Sequence, residues 1–300
     1  MKTDVICIGA AIVDILVQPC SEKVFQVGSY PCDEISMSAG GDALNEASIL
    51  SKMGHNVELI SIFGKDDAGY HLKNYCERHN IFVRPSCFKK EIKTGINTVL
   101  IKEDGSRHFL TNQNGSLRQL TLDDIPFDFK GKILSFGSIF VFPYLKDEEL
   151  SSIFKIAKHR DMIVCADMTK CKNKETISDL KKTLPYIDYI FPNDEEAMLF
   201  TRTDSVEAAA NALYLAGVNN VVITCGKKGC YVKNFELDEY IYPKEEVNCI
   251  DTTGAGDSFV AGFIHSLLQN KSIEECCEYA NICGGKNIQY VGATTWIKGE

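Results

Sequence analysis

Short apolar runs alternate along this chain with stretches whose apolar residues recur at helical spacing. Val5–Ile8 reads as a buried strand. Ala43–Met53 follows as a helix, with Ala43, Ala47, Leu50 and Met53 on one face and Gly54 as its stop. A strand is expected over Val57–Phe63, ending at Gly64, and a helix over Tyr70–His79. Further on come strand Ile133–Phe136, helix Glu148–His159, strand Met162–Ala166, strand Tyr189–Phe191, a helix beginning near Asp194, helix Val206–Leu215 and strand Val221–Cys225. Strands and helices taking turns in this way predict an α/β fold, a mostly parallel sheet with helices on both faces.

Two regions break the alternation. Ile12–Val17 alternates around Asp14, and Gly95–Ile101 and Arg107–Thr111 flank Glu103-Asp104-Gly105, a hairpin turn signal. These segments predict antiparallel strands outside the main sheet, either a flap over a site or an extension of the sheet edge. With no internal repeat, low-complexity tract or flexible linker, residues 1–300 are expected to form one unit with a small appendage.

Composition narrows the class. The chain has 300 residues, 45% of them hydrophobic and 24% charged, enough to bury a sizeable core. A net charge of -9 removes the usual electrostatic footprint of a nucleic-acid binder. The 13 cysteines are odd in number, scattered, and form no C-x-x-C pair. Free thiols in a reducing cytosol account for them better than disulfides or zinc. Asp4 and Asp14 interrupt the apolar N-terminal stretch, which does not read as a signal peptide, and no segment has the uncharged apolar length of a membrane helix. A cytoplasmic protein with neither nucleic acid nor membrane as partner is expected.

The segment richest in chemistry is Asp251-Thr252-Thr253-Gly254-Ala255-Gly256-Asp257-Ser258-Phe259. Val260, Phe263, Ile264 and Leu267 follow at the spacing of a buried helix face, so a loop with two glycines leads into a helix N-terminus. Glycines let backbone N–H groups approach an anion, and the first helical turn adds unpaired donors and a positive dipole end. Asp257 in that turn is either a helix cap or a functional carboxylate. In the functional reading the loop amides hold charge developing on a transferring phosphoryl group, and Asp257 takes the proton of the attacking hydroxyl. There is no G-x-x-x-x-G-K-[ST] loop, no dinucleotide G-x-G-x-x-G after a strand and no G-x-S-x-G elbow.

Asp251–Phe259 resembles the C-terminal signature of the ribokinase-like, or PfkB, family of carbohydrate and nucleoside kinases. Four further motifs stand in the same order. Asp14 falls where the family has a substrate carboxylate, and Gly40-Gly41 with Asn45 resembles its N-terminal signature. Asn193 and Glu196 match its N-x-x-E motif, and Thr224, Gly226 and Gly229 match its T-x-G-x-x-G turn.

The resemblance implies a three-layer α/β/α core with a small β-sheet lid, contributed here from about residues 12–37 and 92–112. It implies ATP and Mg²⁺ as cofactors. It makes Asp257 the base, with Gly254, Ala255 and Gly256 supplying amides toward the phosphates. Asp14, Gly40, Gly41 and Asn45 would hold the acceptor, Asp14 by accepting hydrogen bonds from two neighbouring hydroxyls. Asn193 and Glu196 would orient water and Mg²⁺, Glu196 largely through water; alone they read as an acidic helix start. Thr224, Gly226 and Gly229 would line the nucleotide side, or form a simple strand end and turn. Some members bind K⁺ beside the anion loop, at positions matched here by Asp251, Thr253 and Gly292. Relatives that dimerise through the lid make a homodimer a further expectation.

Departures from the family pattern bear on the acceptor. Ile12 replaces a substrate-binding Asn, and Asp42 stands where ribokinase and phosphofructokinase-like members have Lys. An inward Asp42 would repel a phosphorylated sugar. Gly41-Asp42-Ala43-Leu44-Asn45 is closer to some ketodeoxygluconate and fructose kinases. An unphosphorylated sugar or sugar acid is therefore the expected acceptor, a nucleoside the alternative, and a silent sugar-binding relative a third reading. Arg107 and His108 either meet a substrate carboxylate or face solvent; Lys170 and Lys172 either approach a phosphate or lie in a solvated loop.

Overall fold

The protein is described by a computed structural model covering residues 2–297. In chain order, β1 (Val5–Ile8) leads into β2 (Ile12–Gln18) and β3 (Glu34–Gly40), followed by α1 (Asp42–Lys52), β4 (Val57–Ile60), β5 (Phe63–Gly64), α2 (Asp67–Arg78), β6 (Ile81–Val83) and β7 (Phe88–Lys89). β8 (Ile96–Ile101) and β9 (Arg107–Thr111) form a hairpin. Next come β10 (Ile133–Ile139), α3 (Asp147–Lys158), β11 (Ile163–Met168), β12 (Tyr189–Phe191), α4 (Asp194–Thr201) and α5 (Val206–Leu215). The chain closes with β13 (Asn220–Thr224), β14 (Cys230–Lys233), β15 (Asp238–Ile241), α6 (Ala255–Leu268) and α7 (Ile273–Asn287).

Nine strands join one sheet in the order β15-β14-β13-β12-β11-β10-β1-β4-β6. From β13 to β6 every pairing is parallel, and β14 and β15 add an antiparallel edge. Parallel strands covered on both faces need apolar residues on both. β1 and β10 meet that demand, with every residue buried. Ile6 and Ile8 face a core built with α3, α4 and α5, while Val5 and Cys7 face one built with α1, α2, α6 and α7. No helix among the described residues is long and apolar enough to cross a membrane.

A second sheet has the order β3-β2-β8-β9. Its two faces differ. Asp14 stands opposite both Ser38 and Asn97, and Asn97 opposite Thr111, so these residues share a polar face that also carries Arg107 by alternation. The other face carries Ile15, Ile35, Met37, His108 and Leu110.

The expected elements recur with shifted ends. Val57–Phe63 is two strands rather than one, because Phe63 leaves the main sheet to pair with Phe88 and stack on its ring at 5.0 Å between centroids. α2 begins three residues before Tyr70, because Asp66 caps the Gly69 amide at 2.9 Å. β2 and β8, expected to be antiparallel, pair in parallel; the antiparallel partners are β3 and β9.

Candidate active site

A parallel sheet delivers the C-terminal ends of its strands, and the loops after them, to one edge. Here that edge holds a cleft of 280 Å³. Ser138 of β10, Asp167 of β11 with Thr169 just after it, and Thr224 of β13 line it from the sheet side. Asp42 of α1, Asn193 at the start of α4, Glu196 within it, and Gly256 of α6 close it.

The loop before α6 has the form its glycines suggest. Gly254 caps α6 at φ 75°, ψ 10°, a left-handed conformation that favours glycine. A Cβ there would also run into Ala293. A Cβ on Gly256, by contrast, would meet nothing within 4 Å, so the first-turn backbone lies open to the cleft. Ala255 is the first residue of α6. Trp296 anchors the same turn from behind, its Nε1 donating to Ser258 Oγ at 2.9 Å.

Asp257 is buried, and Asn45 Nδ2 donates to its Oδ2 at 2.7 Å. The contact joins α1 to α6 across 212 positions of sequence and leaves Oδ1 for a second partner. Burial, reinforced by the charges of Asp42 and Glu46, pushes the Asp257 carboxyl well above the ordinary carboxylate range. Glu46, Asp167 and Asp257 bring carboxylate oxygens within 4.8 Å of one another. Burial also raises Asp167, with Glu46, Asp42 and Asp257 adding to the effect.

On the small sheet, Asn97 Nδ2 donates to Asp14 Oδ1 at 3.1 Å. A Cβ on Gly40 would collide with Asp14 Oδ2, so glycine is needed there to admit the carboxylate. Gly41 caps α1 at φ 100°, and a Cβ there would lie 2.6 Å from the Ala10 carbonyl oxygen. Burial raises Asp14, the Asn97 hydrogen bond opposes this, and Asp42 raises it further.

Asn193 and Glu196 form a reciprocal helix cap. The Glu196 amide donates to Asn193 Oδ1 at 2.8 Å, and the Asn193 amide donates to Glu196 Oε2 at 3.0 Å. Both still line the cleft, and Glu196 Oε1 takes no part in the cap. Burial raises the Glu196 carboxyl, with the Asn193 amide opposing. Thr224 lines the cleft as well, whereas Gly226 (φ 55°) and Gly229 (φ 80°) shape the turn that follows it. Asp42 points inward, accepting from the Ser138 hydroxyl, and feels the positive charge of Lys172.

Asp251 and Thr253, matched above to a monovalent-cation position, hold a side chain instead. Arg107 Nη2 lies 2.8 Å from Asp251 Oδ1, and Arg107 Nη1 donates to Thr253 Oγ1. Burial disfavours the Asp251 charge, but hydrogen bonds from the Gly292 and Thr253 amides, the Thr253 hydroxyl and Arg107 outweigh it and hold the carboxyl low. Arg107 is thus turned toward the loop rather than solvent, while His108 lies on the other face of its strand.

Sequence reasoning missed Asn97, Ser138, Asp167 and Glu46. Asp167 had a usable signal, a carboxylate at the end of a buried strand. Glu46 had another, a charge inside the otherwise buried run Ala43–Leu50. Asn97 and Ser138 had none, because strand pairing brings Asn97 to Asp14 and the packing of α1 on the sheet brings Asp42 to Ser138.

Residues 2–298 match the family model described as pfkB family carbohydrate kinase. A 2-dehydro-3-deoxygluconokinase of Haemophilus influenzae is 27% identical over 298 residues, covering 91% of this chain and 93% of that protein. A probable fructokinase-5 of Arabidopsis thaliana is 29% identical over 272 residues, covering 85% and 83%. In three dimensions, the ribokinase of Thermotoga maritima superposes with a TM-score of 0.83 at 21% identity, covering 100% of this chain and 97% of that one. The chain belongs to the pfkB family of carbohydrate kinases, phosphotransferases that act on a hydroxyl group.

Proposed function

We propose that the protein transfers the γ-phosphate of ATP to a hydroxyl of an unphosphorylated sugar or sugar acid, with Asp257 as general base. The observation that carries this reading is the 2.7 Å hydrogen bond from Asn45 to Asp257 Oδ2. It fixes the carboxylate beside an open glycine turn and leaves Oδ1 to take a proton. The acceptor rests on the polar face of the small sheet, with Asp14 oriented by Asn97 and accepting from its hydroxyls. That sheet acts as the lid of a single catalytic unit. Asp42 in the cleft disfavours an acceptor that already carries phosphate. The relatives named for 2-dehydro-3-deoxygluconate and fructose agree with such an acceptor.

The donor lies along Thr224, Asn193 and the first turn of α6. Gly254, Ala255 and Gly256 offer amides to the phosphoryl group as its charge shifts. The cleft suits a divalent cation, since Asp42, Asp167 and Glu196 line it and Glu196 keeps one carboxylate oxygen outside its helix cap. Glu196 would hold that ion largely through water, and bound Mg²⁺ would neutralise phosphate charge there. Loading a monovalent cation at Asp251 and Thr253 would require Arg107 to withdraw.

Thirteen free cysteines suit a cytoplasmic protein. A second copy of this chain would cover the outer face of the small sheet, where Ile35, Met37 and Leu110 are 67%, 54% and 58% exposed. The test of the activity is ADP formation with Mg²⁺ on a panel containing 2-keto-3-deoxygluconate, fructose, ribose and adenosine. Turnover on a sugar or sugar acid supports the reading. Turnover on adenosine alone contradicts the acceptor class.

A further inference from the structure

The turn that opens α6 is held from behind by residues 292–297. Gly292, at φ 93°, adopts a left-handed conformation that turns the chain after α7. The residues from there on meet the loop at three places. The Gly292 amide donates to Asp251 Oδ2 at 2.9 Å. Ala293 packs so closely on Gly254 that a Cβ there would run into it. Trp296 Nε1 donates to Ser258 Oγ at 2.9 Å. Gly256, between the last two contacts, stays open.

This strap is itself pinned at both ends. Asn287 of α7, 0% exposed, donates through Nδ2 to the Ala293 carbonyl at 2.9 Å and the Gly292 carbonyl at 3.4 Å. Lys52, the last residue of α1, donates through Nζ to the Thr294 and Ile297 carbonyls at 3.1 and 3.2 Å. α1 is also the helix whose Asn45 holds Asp257. The strap and the base are therefore fixed to one helix.

Ser258 is where the strap reaches the helix itself. Its amide closes the first turn by donating to the Gly254 carbonyl at 2.8 Å. Its side chain is 0% exposed, so loss of the indole N–H would leave a buried hydroxyl without that partner. An indole nitrogen only donates, which fixes the direction of the bond. The Trp296 ring packs against the core built with α1, α2, α6 and α7. Amides that stabilise developing charge work best when held in place before the charge appears.

We propose that Trp296 is a positioning residue for the reaction proposed above, an inference that rests on reading the first turn of α6 as facing the phosphates. Through Ser258 it holds that turn, with the amides of Gly254, Ala255 and Gly256 and the carboxylate of Asp257, in the reactive arrangement. It supplies no group to the chemistry.

The test uses Trp296→Phe and Ser258→Ala, singly and together, in the whole protein. Phenylalanine keeps an aromatic ring without the donor, and alanine removes the acceptor. Ser258→Ala, the smaller change, answers alone if Trp296→Phe does not fold. The first readout is hydrogen exchange at the residue-258 amide in the substrate-free protein. Exchange about tenfold faster is expected in either variant, with the amides of β1 and β10 unchanged. An amide protected as in the native protein, or a rise shared equally by β1 and β10, would overturn the proposal. This readout involves no turnover, so it judges the strap even in a protein inactive on every acceptor, a result that would count against the proposed function instead.

The second readout is steady-state kinetics on an accepted sugar. Each variant should lose about tenfold in kcat, with KM for the sugar within about twofold, because Asp14 and Asn97 lie on the other sheet. The double variant should be no slower than either single one, since both remove the same bond. Native kcat in a folded single variant, or losses that multiply in the double variant, would contradict the proposal.

Discussion

Arg107 of the small sheet and Asp251 of the loop before α6 form an ion pair of 2.8 Å, although 144 positions of sequence separate them. Asp251 is 6% exposed at its side chain and Arg107 27%, so the pair is largely desolvated on the acidic side. Arg107 also donates to Thr253, one residue before Gly254. One guanidinium therefore ties the sheet that carries Asp14 to the loop that carries Gly254 and leads into α6. A planar fork suits this double contact better than an ammonium.

Removing that tie should cost catalysis more than folding. Arg107→Ala leaves Asp251 without its cation, yet the Gly292 amide and the Thr253 amide and hydroxyl still satisfy the carboxylate. A loss of about tenfold to a hundredfold in kcat/KM is expected, the worth of a charge-assisted hydrogen bond. Arg107→Lys should recover part of it. Steady-state kinetics check this, and native kcat/KM in Arg107→Ala would show that the contact does not position the loop.

Asp14 should act on the acceptor and spare the donor. Its carboxylate is oriented by Asn97 and admitted by the missing Cβ of Gly40. Asp14→Ala should raise KM for the sugar about tenfold to a hundredfold, with KM for ATP changed by less than about twofold. Equal rises in both constants would remove Asp14 from the acceptor site.

Stability should depend on pH through Glu46. Burial pushes its pKa from the ordinary 4.5 to about 8, with Ser135 opposing and Asp42 adding. Below about pH 4.5 folded and unfolded chains both hold the proton. Between there and about pH 8 the folded protein keeps a proton that the unfolded chain has released, so rising pH favours unfolding. Glu46→Gln removes this contribution, on the order of a few kcal/mol near pH 8. The thermal midpoint of the variant should exceed the native one at about pH 8, with the gap closing toward about pH 5. Asp167 and Asp257 are raised in the same sense, so the native slope should be reduced rather than abolished. A gap that does not change with pH would contradict the shift.

The sheet was legible because its strands are buried on both faces and therefore written as unbroken apolar runs, as in Val5–Ile8 and Tyr189–Phe191. The loop into α6 was legible because glycine is a rule of backbone geometry, seen at Gly254. Other parts were not, because they are properties of pairing. The parallel match of β2 with β8 places Asn97 on Asp14, and no local pattern announces it. The capping role of Asn193 and Glu196 was visible as an acidic helix start, but only folding brings the same two residues to the cleft. Arg107 looked like either a solvent or a substrate residue, since its partners lie in a loop that only the tertiary fold brings near.

As the proposed general base, Asp257 must take up the proton of the acceptor hydroxyl. The direct measurement is turnover and ATP binding of Asp257→Asn beside the native protein on an accepted sugar. The amide keeps the shape and the contact with Asn45 but takes no proton, so kcat should fall by about 10²–10⁴ while ATP binding stays native. A variant that turns over at the native rate would show that Asp257 is not the base.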